Sequence, residues 1–306
     1  MLERINYRGW KNSCRISNGI VEATVLADVG PRVISYGFCG DENQLHEVDD
    51  QQGLCGGNDF RLYGGHRLWI APEGKSTYYP DNHPVTVSET ASGVSFTAPI
   101  ESDPDGRKLI KTMEIQLGAD SQTRLQHTVT NVGSVAVELS AWGPTMMKGG
   151  GRAILPLSPR AAIDDDHLLP VSHFSIWSYT DFSDSRWALG SDFIQLRHDA
   201  NPQGRFAEQM GGIYNSCEWA AYYRKGFLFV KRARVIKGSR YPDFGCNFEL
   251  FTNPEYLELE TLGPLIELQP GQSVSHQEVW TLFGDVPDGS DEAWIRSHVV
   301  RLAGNR

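Results

Sequence analysis

The sequence predicts an all-β protein, a sandwich or barrel built as one large domain. Three observations carry this. Short segments of alternating apolar and polar residues recur along the whole chain. Glycine and proline, 31 and 16 of 306 residues, punctuate them with turn signals. Helical periodicity is confined to one segment near the C-terminus, and many strands with little helix indicate packed sheets.

The elements follow in order. Residues 21–26 and 32–36 read as strands separated by the turn signal Gly30-Pro31. Strands are expected at 85–88, 94–98, 109–117, 124–131 and 135–142. Asn131-Val132-Gly133-Ser134 reads as a hairpin connection between the last two. Further strands are expected at 193–197, 219–223, 227–232, 246–252, 256–262 and 273–283, the last opened by Pro270-Gly271. A short helix is expected over 291–302, with Ser290 as its N-cap. The irregular stretches 40–84 and 156–191 are long enough to carry function or small hidden elements. No proline- or serine-rich linker divides the chain, so residues 1–306 read as a single domain.

Composition excludes several classes. Hydrophobic residues at 40% and charged residues at 22% exclude global disorder. The balance of 38 acidic against 28 basic residues, net −10, argues against nucleic acid as a partner. No run approaches the roughly 18 apolar residues of a membrane span. The polar start Met1-Leu2-Glu3-Arg4 has no signal-peptide core, so a cytoplasmic protein is expected. Five cysteines, an odd count without C-x-x-C spacing, read as free thiols.

The most informative chemistry lies in Tyr256-Leu257-Glu258-Leu259-Glu260-Thr261-Leu262. Alternation points Leu257 and Leu259 one way and Tyr256, Glu258, Glu260 and Leu262 the other. Two carboxylates and an aromatic then share one surface, their backbones roughly 6.6 Å apart. That surface is either a solvated outer face or a polar cleft. Phe248-Glu249-Leu250-Phe251 could place Glu249 beside it. The loop Trp177-x-Tyr179-x-x-Phe182-x-Asp184-x-Arg186-Trp187 combines aromatics with Asp and Arg, which suits either sugar recognition or a loop that folds its aromatics onto the sandwich. Lys231 and Arg232 end a strand and read as surface residues or as ligands for an acidic sugar or a phosphate. Asp164-Asp165-Asp166-His167 reads as a solvated loop, since adjacent residues cannot all converge on one ion. Gly149-Gly150-Gly151 lacks P-loop spacing, and no G-x-S-x-G elbow occurs.

Leu257-Glu258-Leu259-Glu260-Thr261, Pro264, Leu268-Gln269-Pro270-Gly271-Gln272, His276 and Trp280-Thr281-Leu282-Phe283 resemble the C-terminal signature of aldose 1-epimerases, the galactose mutarotase-like proteins. The stretch 18–35 resembles their opening hairpin, and 125–156 their paired middle strands. Gly64-Gly65-His66-Arg67-Leu68-Trp69-Ile70-Ala71-Pro72-Glu73, Tyr79-Pro80-Asp81-Asn82 and Pro242-Asp243-Phe244-Gly245-Cys246-Asn247-Phe248-Glu249 resemble an uncharacterised bacterial branch of that superfamily. The resemblance implies a β-supersandwich with a mono- or oligosaccharide site on its concave face, and no metal or cofactor.

It also implies roles. Mutarotation needs a base for the anomeric hydroxyl and an acid for the ring oxygen. Glu260 matches the family's base, and Arg67 its sugar-holding arginine, with His66 in place of an asparagine. Trp142 stands where the family has its acid histidine, and an indole cannot protonate a ring oxygen. His83 and His66 are the candidate acids. Tyr79, Asp81, Asn82, Glu258, Glu249, Trp142, Trp177 and Arg186 are candidate sugar contacts. Two alternatives stay open: a glycoside-cleaving enzyme using Glu249, Glu258 and Glu260 in pairs, and a sugar-binding or sensor protein that has lost the acid.

Overall fold

The computed structural model describes residues 1–103 and 106–304. Two large antiparallel sheets face each other. Strand order in the first sheet is Leu2–Tyr7, Trp10–Ser17, Val21–Leu26, Arg32–Phe38, His66–Arg67, Val137–Lys148, Tyr256–Leu262, Phe248–Thr252, Gln209–Ile213 and Phe174–Ile176. Trp69–Ala71 and Ile266–Leu268 also pair with Val137–Lys148. The second sheet runs Trp187–Leu189, Phe193–Arg197, Arg152–Pro156, Trp219–Arg224, Phe227–Ala233, Ser273–Phe283, Gln122–Asn131, Lys108–Leu117, Val94–Thr97 and Thr86–Glu89. Glu101–Ser102 adds to Lys108–Leu117.

Alternation explains which strands lie where. In Gln122–Asn131 every second residue is buried, with Leu125, His127 and Val129 pointing between the sheets and polar neighbours facing out. Tyr256–Leu262 is buried at every position. Its Leu257 and Leu259 join the inter-sheet core, so something must cover its other face. Trp219–Arg224 and Phe227–Ala233 are also apolar on both sides. Ala220, Tyr222 and Phe229 enter the main core, while Ala221, Tyr223, Leu228 and Val230 meet the C-terminal helix through Trp294, Ile295 and Val299.

Two expectations need correction. Residues 131–134 do not close a hairpin. Gln122–Asn131 pairs with Lys108–Leu117 and Ser273–Phe283, whereas Val137–Lys148 belongs to the other sheet. The connection crosses between layers. Asn131 pins it by donating to Val135 O and Leu268 O and accepting from Gly133 N. The helix is capped by Asp291, whose side chain accepts from Trp294 N, and not by Ser290. It runs from Glu292 to Ala303 with π-type winding over Ile295–Val300. The stretch 40–84 holds small elements, including His66–Arg67 and Trp69–Ala71. Among the described residues no helix is long and apolar enough to cross a membrane.

Candidate functional site

The side of Tyr256–Leu262 turned away from the inter-sheet core is buried as well, and it supplies the floor of a carboxyl-lined site. Glu258 and Glu260 project from it together, opposite Leu257 and Leu259. The neighbouring strand sets Glu249 directly across from Glu260. On the other flank, Val137–Lys148 brings Trp142 into register with Leu262, two residues from Glu260. Trp142 Nε1 donates to Glu260 Oε2 at 2.7 Å. Arg67 arrives from its two-residue strand with its guanidinium 4.5 Å from the Trp69 ring centroid. One of its nitrogens donates to Leu62 O, while Nε and Nη1 have no partner. Glu249, Glu260 and Arg67 are each at most 2% exposed and Glu258 is 9% exposed.

Crowding three carboxyls into a buried site raises their proton affinity. Burial pushes Glu258 up to about 7, with Arg67 pulling the other way. Burial and Glu258 hold Glu260 well above the ordinary carboxylate range, against the opposing hydrogen bond from Trp142. Burial, Glu260 and Asp243 do the same for Glu249, whose Oε1 has no hydrogen-bond partner. Loops complete the enclosure. Tyr78 donates to Glu73, and burial raises the Tyr78 phenol. Tyr179 is raised by burial and then by Glu260, Glu73 and Glu249.

His66 is not in this cleft. Adjacent residues on a strand face opposite ways, so the strand that delivers Arg67 outward turns His66 inward. His66 is fully buried between the sheets, its Nδ1 2.9 Å from Thr145 Oγ1 and its Nε2 3.1 Å from His127 Nε2. Glu278, His276, Lys231, Thr261 and Trp280 complete this inner cluster. Lys231 Nζ lies 3.0 Å from Glu278 Oε1 and also donates to Gly143 O, Thr145 Oγ1 and Leu259 O. Thr261 and Trp280 donate to Glu278 as well. Lys231 is thus neither a surface residue nor a sugar ligand: it is sealed in the core beneath the cleft floor.

The other candidates divide. His83 is exposed and lines a small cavity of about 50 Å³ with Tyr79, Pro80, Asp81 and Glu101, none of them floor residues. Asp81 accepts from Arg32, and buried Asn82 donates to Gly57 O and Asp59 O and accepts from Tyr63. These contacts hold the loop. Arg186 is buried in a bidentate pair with Asp184 and donates to Phe206 O and Ala207 O, a scaffold role. Trp177 is half-buried, at the start of the turn Trp177–Thr180 that carries Tyr179. Sequence reasoning passed over Glu73, Tyr78, Trp69 and Asp243 in the cleft. It also passed over His127, His276 and Glu278 in the core. The last two were accessible to a period-two reading, because His276, Glu278, Trp280 and Leu282 alternate inward.

No family model matches the chain, and no curated protein matches it. Solved structures do. A galactose mutarotase-like protein from Lactobacillus casei aligns with a TM-score of 0.60 at 13% identity, covering 89% of this chain and 100% of that one. A provisionally assigned aldose 1-epimerase from Klebsiella pneumoniae aligns at 0.61 and 13% identity, covering 99% and 86%. A galactose mutarotase related enzyme from Lactobacillus acidophilus aligns at 0.52 and 10%, covering 91% and 100%. The chain therefore has the galactose mutarotase-like fold, the all-β supersandwich expected from its sequence.

Proposed function

We propose that the protein interconverts the anomers of an aldose on the floor of this cleft, with Glu260 as base and Glu249 as acid. The cross-strand pair Glu249/Glu260 carries the reading. Two buried carboxyls side by side cannot both ionise, so they divide into one acid and one base. The Trp142 indole N–H favours the carboxylate form of Glu260. Glu249 has no such donor and is in hydrogen-bonding contact with Asp243, which favours its protonated form.

The steps balance. Glu260 takes the proton of the anomeric hydroxyl while Glu249 protonates the ring oxygen. The bond between the anomeric carbon and the ring oxygen breaks, giving the open-chain aldehyde. Rotation about the first carbon–carbon bond exposes the other face. The reverse proton transfers close the ring and restore both carboxyls. Both reacting oxygens are bonded to one carbon, so neighbouring carboxyls can serve them together. Arg67, with two free nitrogens, would hold sugar hydroxyls through its planar fork of donors. Trp69, Trp142, Tyr78 and Tyr179 offer apolar faces for the ring.

Saturation-transfer NMR on freshly dissolved α-aldoses tests this. Accelerated anomer exchange that is lost in Glu260→Gln supports it. Exchange at the uncatalysed rate across a panel of hexoses and pentoses overturns it. The cross-strand placement of two glutamates also suits glycoside cleavage. New reducing ends released from oligosaccharides would favour that second reading.

A further inference from the structure

We propose that His66, His127 and Glu278 form a transition-metal site that clasps the two sheets beneath the cleft. The site lies apart from the sugar chemistry and does not depend on it.

The geometry carries the assignment. His66 Nε2 is 3.1 Å from His127 Nε2. Glu278 Oε2 is 3.8 Å from the first and 3.9 Å from the second. These separations make an acute triangle, and the point equidistant from its corners lies inside it, about 2.1 Å from each donor, which is the zinc–nitrogen and zinc–carboxylate bond length. An ion seated slightly off that plane keeps all three bonds within tolerance and gains a fourth position for water.

The surroundings orient these donors as metal sites require. The second nitrogen of His66, Nδ1, is hydrogen-bonded to Thr145 Oγ1. Glu278 is held at Oε1 by Lys231 and Thr261 and at Oε2 by Trp280. His127 departs from this pattern: its Nδ1 has no partner among the described residues, although the side chain is fully buried. Space is reserved as well. A Cβ at position 143 would collide with Glu278 Oε1 and press on His66 Cε1 at 3.2 Å, so the glycine between Trp142 and Pro144 lets Glu278 and His66 take these positions.

The donor set fixes the class of ion. Two imidazoles and one carboxylate suit iron(II), zinc, copper and nickel, and disfavour magnesium and calcium. The Lys231 ammonium opposes any cation there, which restricts the site to the strongest nitrogen binders. Spacing could not reveal it, because the donors come from three distant strands; the sequence leads one to expect no metal. The ligands bridge the layers, His66 from the first sheet and His127 and Glu278 from the second.

The test uses the full chain. Unfolded protein is stripped with a chelator, refolded with Zn²⁺ or Co²⁺, desalted and assayed for metal. About one ion per chain is expected, with cobalt bands of a low-coordinate site. X-ray absorption of the zinc form should show two imidazoles and oxygen, without sulfur. His127→Asn should lower occupancy about tenfold or more. Refolded wild type with native circular dichroism and less than about a tenth of an equivalent overturns the site. So does sulfur in the zinc shell, or folded His127→Asn that retains its metal. If His127→Asn does not fold, wild-type stoichiometry and its absorption spectrum decide.

Discussion

Trp142 donates its indole N–H to Glu260 across the junction of two strands, from the place where the related fold is expected to carry a histidine. The residue in the place of the family's acid is hydrogen-bonded to the glutamate proposed as the base. A hydrogen bond to a charged group is worth about 1.5–3 kcal/mol, so its loss should raise Glu260 by about one to two pH units. Glu260 must be ionised to act. In Trp142→Phe the acidic limb of the pH profile of kcat/KM should therefore move to higher pH by that amount. An unmoved limb would separate Trp142 from catalysis.

Removing the base itself is a blunter test. Glu260→Gln should lower anomer exchange by about 10²–10⁴-fold, the usual worth of a general base, and Glu249→Gln by a similar factor. The pair acts as a unit, so the double variant should lose little more than either single one. Exchange rates from line-shape or saturation-transfer NMR check all three.

Glu258 gives a stability prediction. Burial raises it from 4.5 to about 7. Between those values the folded state holds a proton that the unfolded chain releases, so stability falls as pH rises through this window. The loss amounts to about 3 kcal/mol by pH 7. Glu258→Gln should be insensitive to this effect. It should gain on wild type from pH 4.5 to 7 in urea melts, and at neutral pH it should be the more stable protein.

His83 and Arg186 make the complementary case. His83 is exposed, away from the floor, so His83→Ala should leave exchange rates and melting temperature nearly unchanged. Arg186→Met leaves Asp184 buried without its partner and frees two carbonyls. It should cost about 3–5 kcal/mol in chemical denaturation with activity retained in the folded fraction. A collapse of activity in His83→Ala would restore that histidine as an acid.

The strand logic of this chain was legible where apolar and polar residues alternate. The strands at 193–197, 256–262 and 273–283 match their expected bounds, because alternation and flanking turns fix both ends. Trp10–Ser17 and Gln209–Ile213 were missed: the first mixes charged and apolar residues in no period, and the second contains Gly211-Gly212. Glu249, Glu258 and Glu260 were legible as neighbours because alternation within strands assigns a face, whereas Arg67 and Trp142 were pointed to only by the resemblance of their segments to the family. Glu73 and Tyr78 were not singled out, since they come from loops whose path only tertiary packing determines. His66 failed for a simpler reason: its neighbour Arg67 already claimed the outward side.

The crossing at Asn131 has a consequence for how the molecule is made. Because the chain leaves one layer there, Val137–Lys148 must wait for a partner 118 residues away before Trp142 can meet Glu260. On the ribosome, the first half of the protein can begin its own hairpins but lacks the strands that carry Glu249, Glu258 and Glu260. The cleft comes into being late and all at once, when Phe248–Leu262 slots in beside a strand that has stood open since early in synthesis. Until then that strand is an unpaired edge exposed to other chains.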